Sequence, residues 1–539
     1  MFALALWDRQ SRSLALVRDR VGEKPLYYGW AGSTLVFGSE IKALKCHPDF
    51  NPTVSKEALG LYLRHVYVPA PFSIWEGLYK LQPGTILRID GDAPAAPPVA
   101  PLEAGGRYGS MRLDAYWSLK TTVEEAAVDP VRDERDAAAR LEMLLEGAVR
   151  RQMIADVPLG AFLSGGVDSS TVVSLMQKNS PVPVRTFTIG FDEAGFDESV
   201  HADAVARHLG TDHTQIRVTD AEARSVIPLL PELYDEPFAD SSQIPTFLVS
   251  RAARSDVKVA LSGDGGDELF GGYERYLWWP AIMNMAGAVP LPARRALGAL
   301  IGAVPAGAWN AIGRGYHGVA GRYGPSTRWA GKASRLASRL QSIRDVEDIH
   351  LDLVTEWRHP DRLLQSAMKT GTSRSLFDFD LPVHAMESIA ARMMYRDTLT
   401  YLPDDILCKV DRASMGVSIE VRVPFLDHEV LKFAWSLPIE QKIRGREGKR
   451  ILRQLLYRYV PQTLVERPKA GFAIPIGQWL RGPLRDWAEA LIDERRLDRE
   501  GFFEAKPIRK IWAEHLSDRY DWTAKLWTIL MFQAWHEAQ

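Results

Sequence analysis

Val157-Pro158-Leu159-Gly160-Ala161-Phe162-Leu163-Ser164-Gly165-Gly166-Val167-Asp168-Ser169-Ser170 passes from an apolar run into a Gly- and Ser-rich turn. Thr171-Val172-Val173-Ser174-Leu175-Met176 then continues as an amphipathic stretch. The first run reads as a buried strand of a parallel sheet, and the second, opening at Ser170, as a helix. A strand that enters a helix through such a turn is a site for a phosphate chain. Gly165 and Gly166 let the backbone approach an anion, free N–H groups of the first helical turn point at it, and the hydroxyls of Ser164, Ser169 and Ser170 add donors. No Lys follows the glycines, so this is not the loop that grips β- and γ-phosphates through a lysine. A carboxylate, Asp168, stands inside the anion site instead. That placement makes sense with a divalent cation bridging Asp168 to the phosphates. The expectation is ATP bound through its pyrophosphate part, with magnesium.

The pattern recurs. Val257-Lys258-Val259-Ala260-Leu261 reads as a short strand and is followed by Ser262-Gly263-Asp264-Gly265-Gly266-Asp267-Glu268-Leu269-Phe270-Gly271-Gly272-Tyr273. One acidic glycine loop is a weak signal. Two, each behind a buried strand, are a strong one.

Residues 164–170 resemble the pyrophosphate-binding loop of the ATP pyrophosphatase (PP-loop) superfamily. The second loop, Asp411-Arg412-Ala413-Ser414-Met415 and Val421-Arg422-Val423-Pro424-Phe425-Leu426-Asp427-His428 together resemble the glutamine-dependent asparagine synthetases. The likeness runs from Met1 to residues 467–472 and the Trp-rich tail. It implies a doubly wound parallel α/β PP-loop domain with a helical C-terminal extension, preceded by a β-rich Ntn-type glutaminase domain. That glutaminase is expected to start with a Cys nucleophile, but here Met1 is followed by Phe2-Ala3-Leu4-Ala5-Leu6-Trp7-Asp8, which resembles a strand from its middle. Cys46 and Cys408 are the only cysteines, and neither sits in a matching motif. The expectation is a truncated glutaminase that does not hydrolyse glutamine, from a start codon assigned too late; free ammonia or a partner's glutaminase is the alternative. Half a sandwich domain would expose sheet edges and apolar faces.

At 539 residues the chain should hold more than one domain. Hydrophobic residues at 46% and charged residues at 25% describe an ordinary globular protein. A formal charge of −2 gives no reason to propose nucleic acid or an acidic membrane as partner. Two cysteines and no signal-type N-terminus make a reducing cytoplasm the default. The most apolar segment, 296–312, is broken by Gly298, Gly302, Pro305 and Gly307 and reads as a buried or peripheral helical hairpin rather than a membrane span. Strand-like runs at 13–17, 34–37 and 84–89 assign residues 1–95 to the truncated glutaminase. The Pro-, Ala- and Gly-rich stretches that follow make 96–131 a linker. Residues 132–539 form the synthetase domain, with a helix from Asp133 to Ala148 and alternating strands (184–191, 213–218) and helix (199–209) before the chain turns helical beyond Trp278.

The roles follow from the resemblance and from where ligands lie in such sheets. ATP would occupy Leu163, Ser164, Gly165, Gly166, Asp168, Ser169 and Ser170, with its adenine against backbone near Leu163 and Ile189, and with Ser262 and Gly263 alongside. Asp168 and Asp267 would hold magnesium, although Asp267 also reads as a helix N-cap. Lys449 matches the family's lysine for charge on the leaving pyrophosphate; by itself it reads as a solvated helix-start lysine. Asp264 matches the position tied to forming the β-aspartyl-adenylate, where glutamate is familiar. Asp411 and Arg412 would bind the amino acid's ammonium and carboxylate, or brace helices by pairing with each other or with Arg422. Asp240 is a further substrate ligand. The reaction implied is ATP-dependent amidation of aspartate to asparagine, with release of AMP and pyrophosphate, by a homodimer or with a separate glutaminase partner. The same residues would serve a relative that activates another carboxylate for β-lactam or macrolactam closure or sugar-acid amidation. A non-catalytic remnant is the third reading, and the intact Asp168, Asp267 and Lys449 argue against it.

Overall fold

A computed structural model describes the chain apart from residues 192–198, 280–289, 306, 310, 312–332, 334–335, 338–339, 341–345, 367–380, 387, 467–473 and 519. Residues 467–472, noted above, therefore lie outside the described residues.

The N-terminal part holds two antiparallel sheets. Strands β1 (Ala3–Asp8), β2 (Ser13–Arg18), β6 (Thr85–Asp90), β8 (Met111–Ala115) and β7 (Arg107–Tyr108) lie side by side in that order, and β4 (Thr34–Gly38), β3 (Tyr27–Ala31) and β5 (Leu78–Lys80) form the second sheet. Leu16, Leu87, Ile89, Met111 and Leu113 meet Tyr28, Trp30 and Tyr79 between them. Alternation of buried and exposed residues along β6 is what a sheet with one packed face requires. β1 is an edge strand, and its Leu4, Leu6 and Trp7 remain exposed.

The stretch expected to be a linker is not structureless. β7 and β8 complete the first sheet, and Leu119–Val128 is a helix capped by the Ser118 hydroxyl. β8 was obscured because its apolar residues, Met111 and Leu113, are only two and are flanked by glycines and charges.

Glu134–Gln152 forms the first long helix of the second part. Asp133 caps it by accepting from the N–H groups of Arg135 and Asp136, and Arg150 and Arg151 sit at its carboxyl end. Five strands then build one parallel sheet, β9 (Leu159–Phe162), β10 (Arg185–Phe191), β11 (Asp212–Val218), β12 (Val259–Leu261) and β13 (Glu420–Arg422), in the spatial order β11-β10-β9-β12-β13. Successive residues feed opposite cores. Ala260 joins Phe187, Ile189 and the helix Gln243–Ala253, while Leu261 joins Ala161, Leu163 and the helix Val167–Lys178. This is the expected doubly wound sheet. Its strand order reverses between neighbours β9 and β12, so a crevice opens at their carboxyl ends.

The first of these cores crosses the domain junction, where Tyr27, Trp75 and Leu78 pack with Phe187, Trp479 and Trp535. Helix Leu291–Ala303 covers the start of the apolar segment and leaves Leu297 and Leu300 exposed, so that part is peripheral. Among the described residues no helix is long and apolar enough to cross a membrane.

Candidate active site at the sheet's switch point

The two acidic loops leave β9 and β12 and touch. A Cβ on Gly263 would stand 2.7 Å from Ser169 N, and one on Gly266 2.6 Å from the Asp168 carboxyl carbon. Only glycine permits that approach, which is why the second loop repeats it. Gly165 takes φ +71°, and a side chain there would strike the backbone of His201 and Ala202. Gly166 is the N-cap of the helix Val167–Lys178, which begins three residues before the expected Ser170. The Ser164 and Ser169 hydroxyls meet at 3.0 Å across the loop, and Ser164 Oγ accepts from Gly166 N. Ser170 is wholly buried. Leu163 and Ile189 are also core side chains, Leu163 donating its N–H to Phe187 O.

Lys449 completes this corner. It sits at the start of helix Arg450–Leu456 with φ +56°, tied by its own N–H to Phe270 O. Its ammonium is paired to Asp168 and lies 2.6 Å from Asp267 Oδ1. Burial would lower the Lys449 pKa, but the two carboxylates more than offset this and hold it well above the ordinary lysine value. A Cβ on Gly272 would fall 2.0 Å from both Asp267 Oδ1 and Lys449 Cε, so the lysine reaches the loops only because that residue is glycine. Asp168, Asp267 and Lys449, expected at one crevice from distant stretches, are brought together.

Two carboxylates that converge on one ammonium can converge on one metal ion. Among the described residues no group of three or more acidic, His or Cys ligands exists, so protein oxygens alone would not fill an octahedral shell. Magnesium commonly takes one or two carboxylates and fills the rest with phosphate oxygens and water. The donor set fits that ion.

Asp264 follows Gly263 in the second loop and is half-buried. Burial pushes its carboxyl up, with Ser262 and the Lys409 charge pulling the other way. Asp240, expected as a substrate ligand, is already engaged. Its oxygens accept from Ser242 N at 2.9 Å, Ser242 Oγ at 2.8 Å and Lys409 Nζ at 2.7 Å. Burial raises it, and Lys409 with Ser242 overcomes this to leave Asp240 near 2.

Asp411 and Arg412 are placed elsewhere. Arg412 donates to Asp411 at 2.7 Å and lies 3.3 Å from Glu40 and 3.7 Å from Asp235, while Lys24 reaches Asp411 at 2.8 Å. Lys24 and Glu40 come from the N-terminal domain, so the pair is bracing the junction. They pair with each other, one of the two expected alternatives, whereas Arg422 instead bonds Glu420, Gln152 O and Ile154 O. Asp235 accepts from Ile41 N, and Glu236 from Ile74 N, extending the same brace.

Lys409, Asp405 and the Glu268 network escaped the sequence reading. Glu268, raised to about 7 by burial and Asp267, accepts from Tyr273 OH at 2.5 Å. Arg275 stacks 4.2 Å from the Tyr273 ring and donates to Asp397 at 2.8 Å. A signal existed for Lys409 and Asp405: they stand four apart, with Ile406, Leu407 and Cys408 between them.

A doubly wound parallel sheet with paired acidic loops across its switch point is the frame of the PP-loop synthetases. Comparison of sequences narrows this: residues 140–537 match the asparagine synthase family and residues 1–96 the glutamine amidotransferase domain. The chain belongs to the asparagine synthase family, ligases that use ATP. Asparagine synthetase 1 (glutamine-hydrolysing) of Bacillus subtilis is 30% identical over 99% of the chain and 77% of its own length. A Mycobacterium tuberculosis protein that carries the name of a glutamine-hydrolysing asparagine synthetase is 33% identical over 99% of the chain and 76% of its own length. Amidase chry2 of Gibberella zeae is more distant, at 26% over 93% and 74%.

Proposed function

We propose that the protein activates the side-chain carboxylate of L-aspartate as an acyl-adenylate and transfers ammonia to it, giving asparagine, AMP and pyrophosphate. The observation that carries this reading is the Lys449 ammonium held between Asp168 and Asp267 at the switch point. ATP lies along the first loop, with its phosphates at the N–H groups of Gly166 and the residues after it. Asp168 and Asp267 would hold magnesium, which when bound would supply positive charge to the phosphates. The substrate carboxylate oxygen attacks the α-phosphorus and the bond to pyrophosphate breaks. Lys449 faces the charge that develops on the leaving oxygens, a contribution made without reorganising the site. Ammonia then adds to the acyl carbon and AMP leaves. Neither cysteine of the sequence is poised as a nucleophile: Cys46 is exposed and donates to Lys42 O, and burial pushes the Cys408 thiol up to about 12.

The test is incubation with Mg-ATP and L-aspartate plus ammonium or glutamine, with AMP, pyrophosphate and asparagine quantified. Asparagine from ammonium alone is the expected result. Asparagine from glutamine would overturn the reading of the nitrogen donor, and its absence from both would overturn the acceptor. One observation favours a second acceptor. Asp411 and Arg412, the pair suited to an amino acid's zwitterion, are committed to the junction. A different carboxylate, amidated by the same chemistry, is the second reading, and AMP release against a panel of carboxylates separates the two.

A further inference from the structure

Lys449 presents its ammonium at the switch point from a strained backbone. Its φ of +56° and ψ of 30° are left-handed, a conformation that residues with a side chain rarely adopt. Such strain persists only where the surroundings over-determine it, and it clusters at functional sites. Here the determinants converge on the one peptide group that joins Gly448 to Lys449. Its N–H, that of Lys449, donates to Phe270 O at 3.1 Å. Its carbonyl, that of Gly448, accepts from Arg453 Nε at 3.0 Å. Gly448 lies so close to the second loop's end that a Cβ there would fall 2.3 Å from Gly271 O.

Arg453 holds both carbonyls that flank the lysine. Its backbone N–H donates to Lys449 O at 2.9 Å, and its side chain turns back to Gly448 O. The guanidinium is fixed from its far side as well. Nη1 is ion-paired to Glu466, and the same carboxylate oxygen accepts from Tyr457 OH. Rotation about φ of Lys449 turns the peptide group before it. A move to the right-handed region would therefore swing Gly448 O off Arg453 and the Lys449 N–H off Phe270 O together. Phe270 ends the helix Gly266–Phe270, which carries Asp267. Arg453 is the end of this clamp that lies outside both acidic loops.

We infer that Arg453 is a positioning residue: through the Gly448 carbonyl it holds Lys449 in the left-handed conformation that brings the ammonium to Asp168 and Asp267, and Glu466 orients Arg453 for that task. This rests on the reading of Lys449 given above. An arginine suits the place, because donors on one rigid plane serve a carbonyl and a carboxylate at the same time. Without the clamp the lysine relaxes toward ordinary helical φ and its ammonium withdraws. Asp168 and Asp267 are then left facing each other.

The full chain and its Arg453→Met variant are compared by aspartate-dependent ATP–pyrophosphate exchange, each with Lys449 in place and with Lys449→Met. Arg453→Met should lower kcat by roughly 10–10²-fold, as a small misplacement of a catalytic group does. The KM for ATP should hold, because the lysine answers charge that develops only in the transition state. In the Lys449→Met background the same substitution should cost nothing further, whereas a merely structural role would multiply the two losses. Glu466→Gln alters an exposed side chain and keeps Arg453, which guards against misfolding. Its loss should be smaller and should also vanish without Lys449. A readout free of the reaction is Tm: magnesium chloride, set against sodium chloride at equal ionic strength, should raise that of Arg453→Met more than that of the wild type. Multiplied losses in the double variant, or wild-type exchange in a folded Arg453→Met chain, would overturn the inference. If the wild type shows no exchange with aspartate, the acceptor reading fails and the Tm comparison decides. A larger magnesium shift in the variant then keeps the clamp, and an equal shift removes it.

Discussion

Lys449 and Arg412 are both buried cations held by several carboxylates, and the resemblance implies a catalytic role for the first and substrate binding for the second. Their partners separate them. Lys449 is held by Asp168 and Asp267, which come from two loops of one sheet and face the crevice between β9 and β12. Arg412 is held by Asp411 and Asp235 from one domain and Glu40 from the other, with Lys24 closing the cluster. Phosphates and a metal can replace or join the first set of contacts without disturbing the sheet. The second set cannot be vacated without parting the domains. Position relative to the strand ends, rather than residue type, sets the two ion clusters apart.

Removing each cation in turn should have opposite consequences. Lys449→Met should lower aspartate-dependent ATP–pyrophosphate exchange by roughly 10²–10³-fold. It also leaves Asp168 and Asp267 facing each other, so added Mg2+ should raise the Tm of the variant more than that of the wild type. Unchanged exchange would remove Lys449 from the chemistry. Gly272→Ala tests the same corner from the backbone, because its Cβ would overlap Asp267 and Lys449. It should abolish exchange while sparing far-ultraviolet dichroism, and normal activity would show that the lysine need not sit there. Arg412→Met should instead cost about 3–5 kcal/mol of stability, as breaking a buried pair does. Denaturant unfolding measures it, and exchange per folded molecule should hold. A variant of ordinary stability with a raised aspartate KM would restore Arg412 to substrate binding.

What could be read from the chain follows the same division. Both loops, the strands before them and the convergence of Asp168, Asp267 and Lys449 were legible, because a phosphate site needs a strand, close glycines and a helix start within a few residues. β10 and the helix Ser199–Leu209 were legible from apolar runs alone. The fate of Asp411 and Arg412 was not, because their partners Lys24 and Glu40 lie over 370 positions away and carry no local pattern. Asp240 reads locally as a substrate ligand, because nothing in its neighbourhood announces the pairing with Lys409, 169 positions on. β7 and β8 were hidden by brevity among glycines and prolines. Local chemistry is written in short motifs, and long-range ion pairing is not.

Lys442 is a buried lysine with no carboxylate partner among the described residues. It is 3% exposed, and its ammonium stands 4.7 Å from the centre of the Trp435 ring. Burial alone lowers it from the usual 10.5 to about 7. A folded-state value depressed below the unfolded one means that, between about 7 and 10.5, the unfolded chain holds a proton the folded chain lacks. Stability attributable to this residue therefore rises with pH through that window, and the burial cost is fullest below it. Lys442→Met removes the charge and keeps the apolar stem, so it should stabilise the protein by ~1–4 kcal/mol at neutral pH, with the gain fading as pH approaches 10. Contact with the Trp435 face offsets ~1–2 kcal/mol of the cost, which sets the gain toward the lower end. Denaturant midpoints for both proteins across pH 7 to 10 measure it. A pH-independent difference would mean that Lys442 keeps its charge throughout, and that the Trp435 ring serves this cation as the carboxylates serve Lys449 and Arg412.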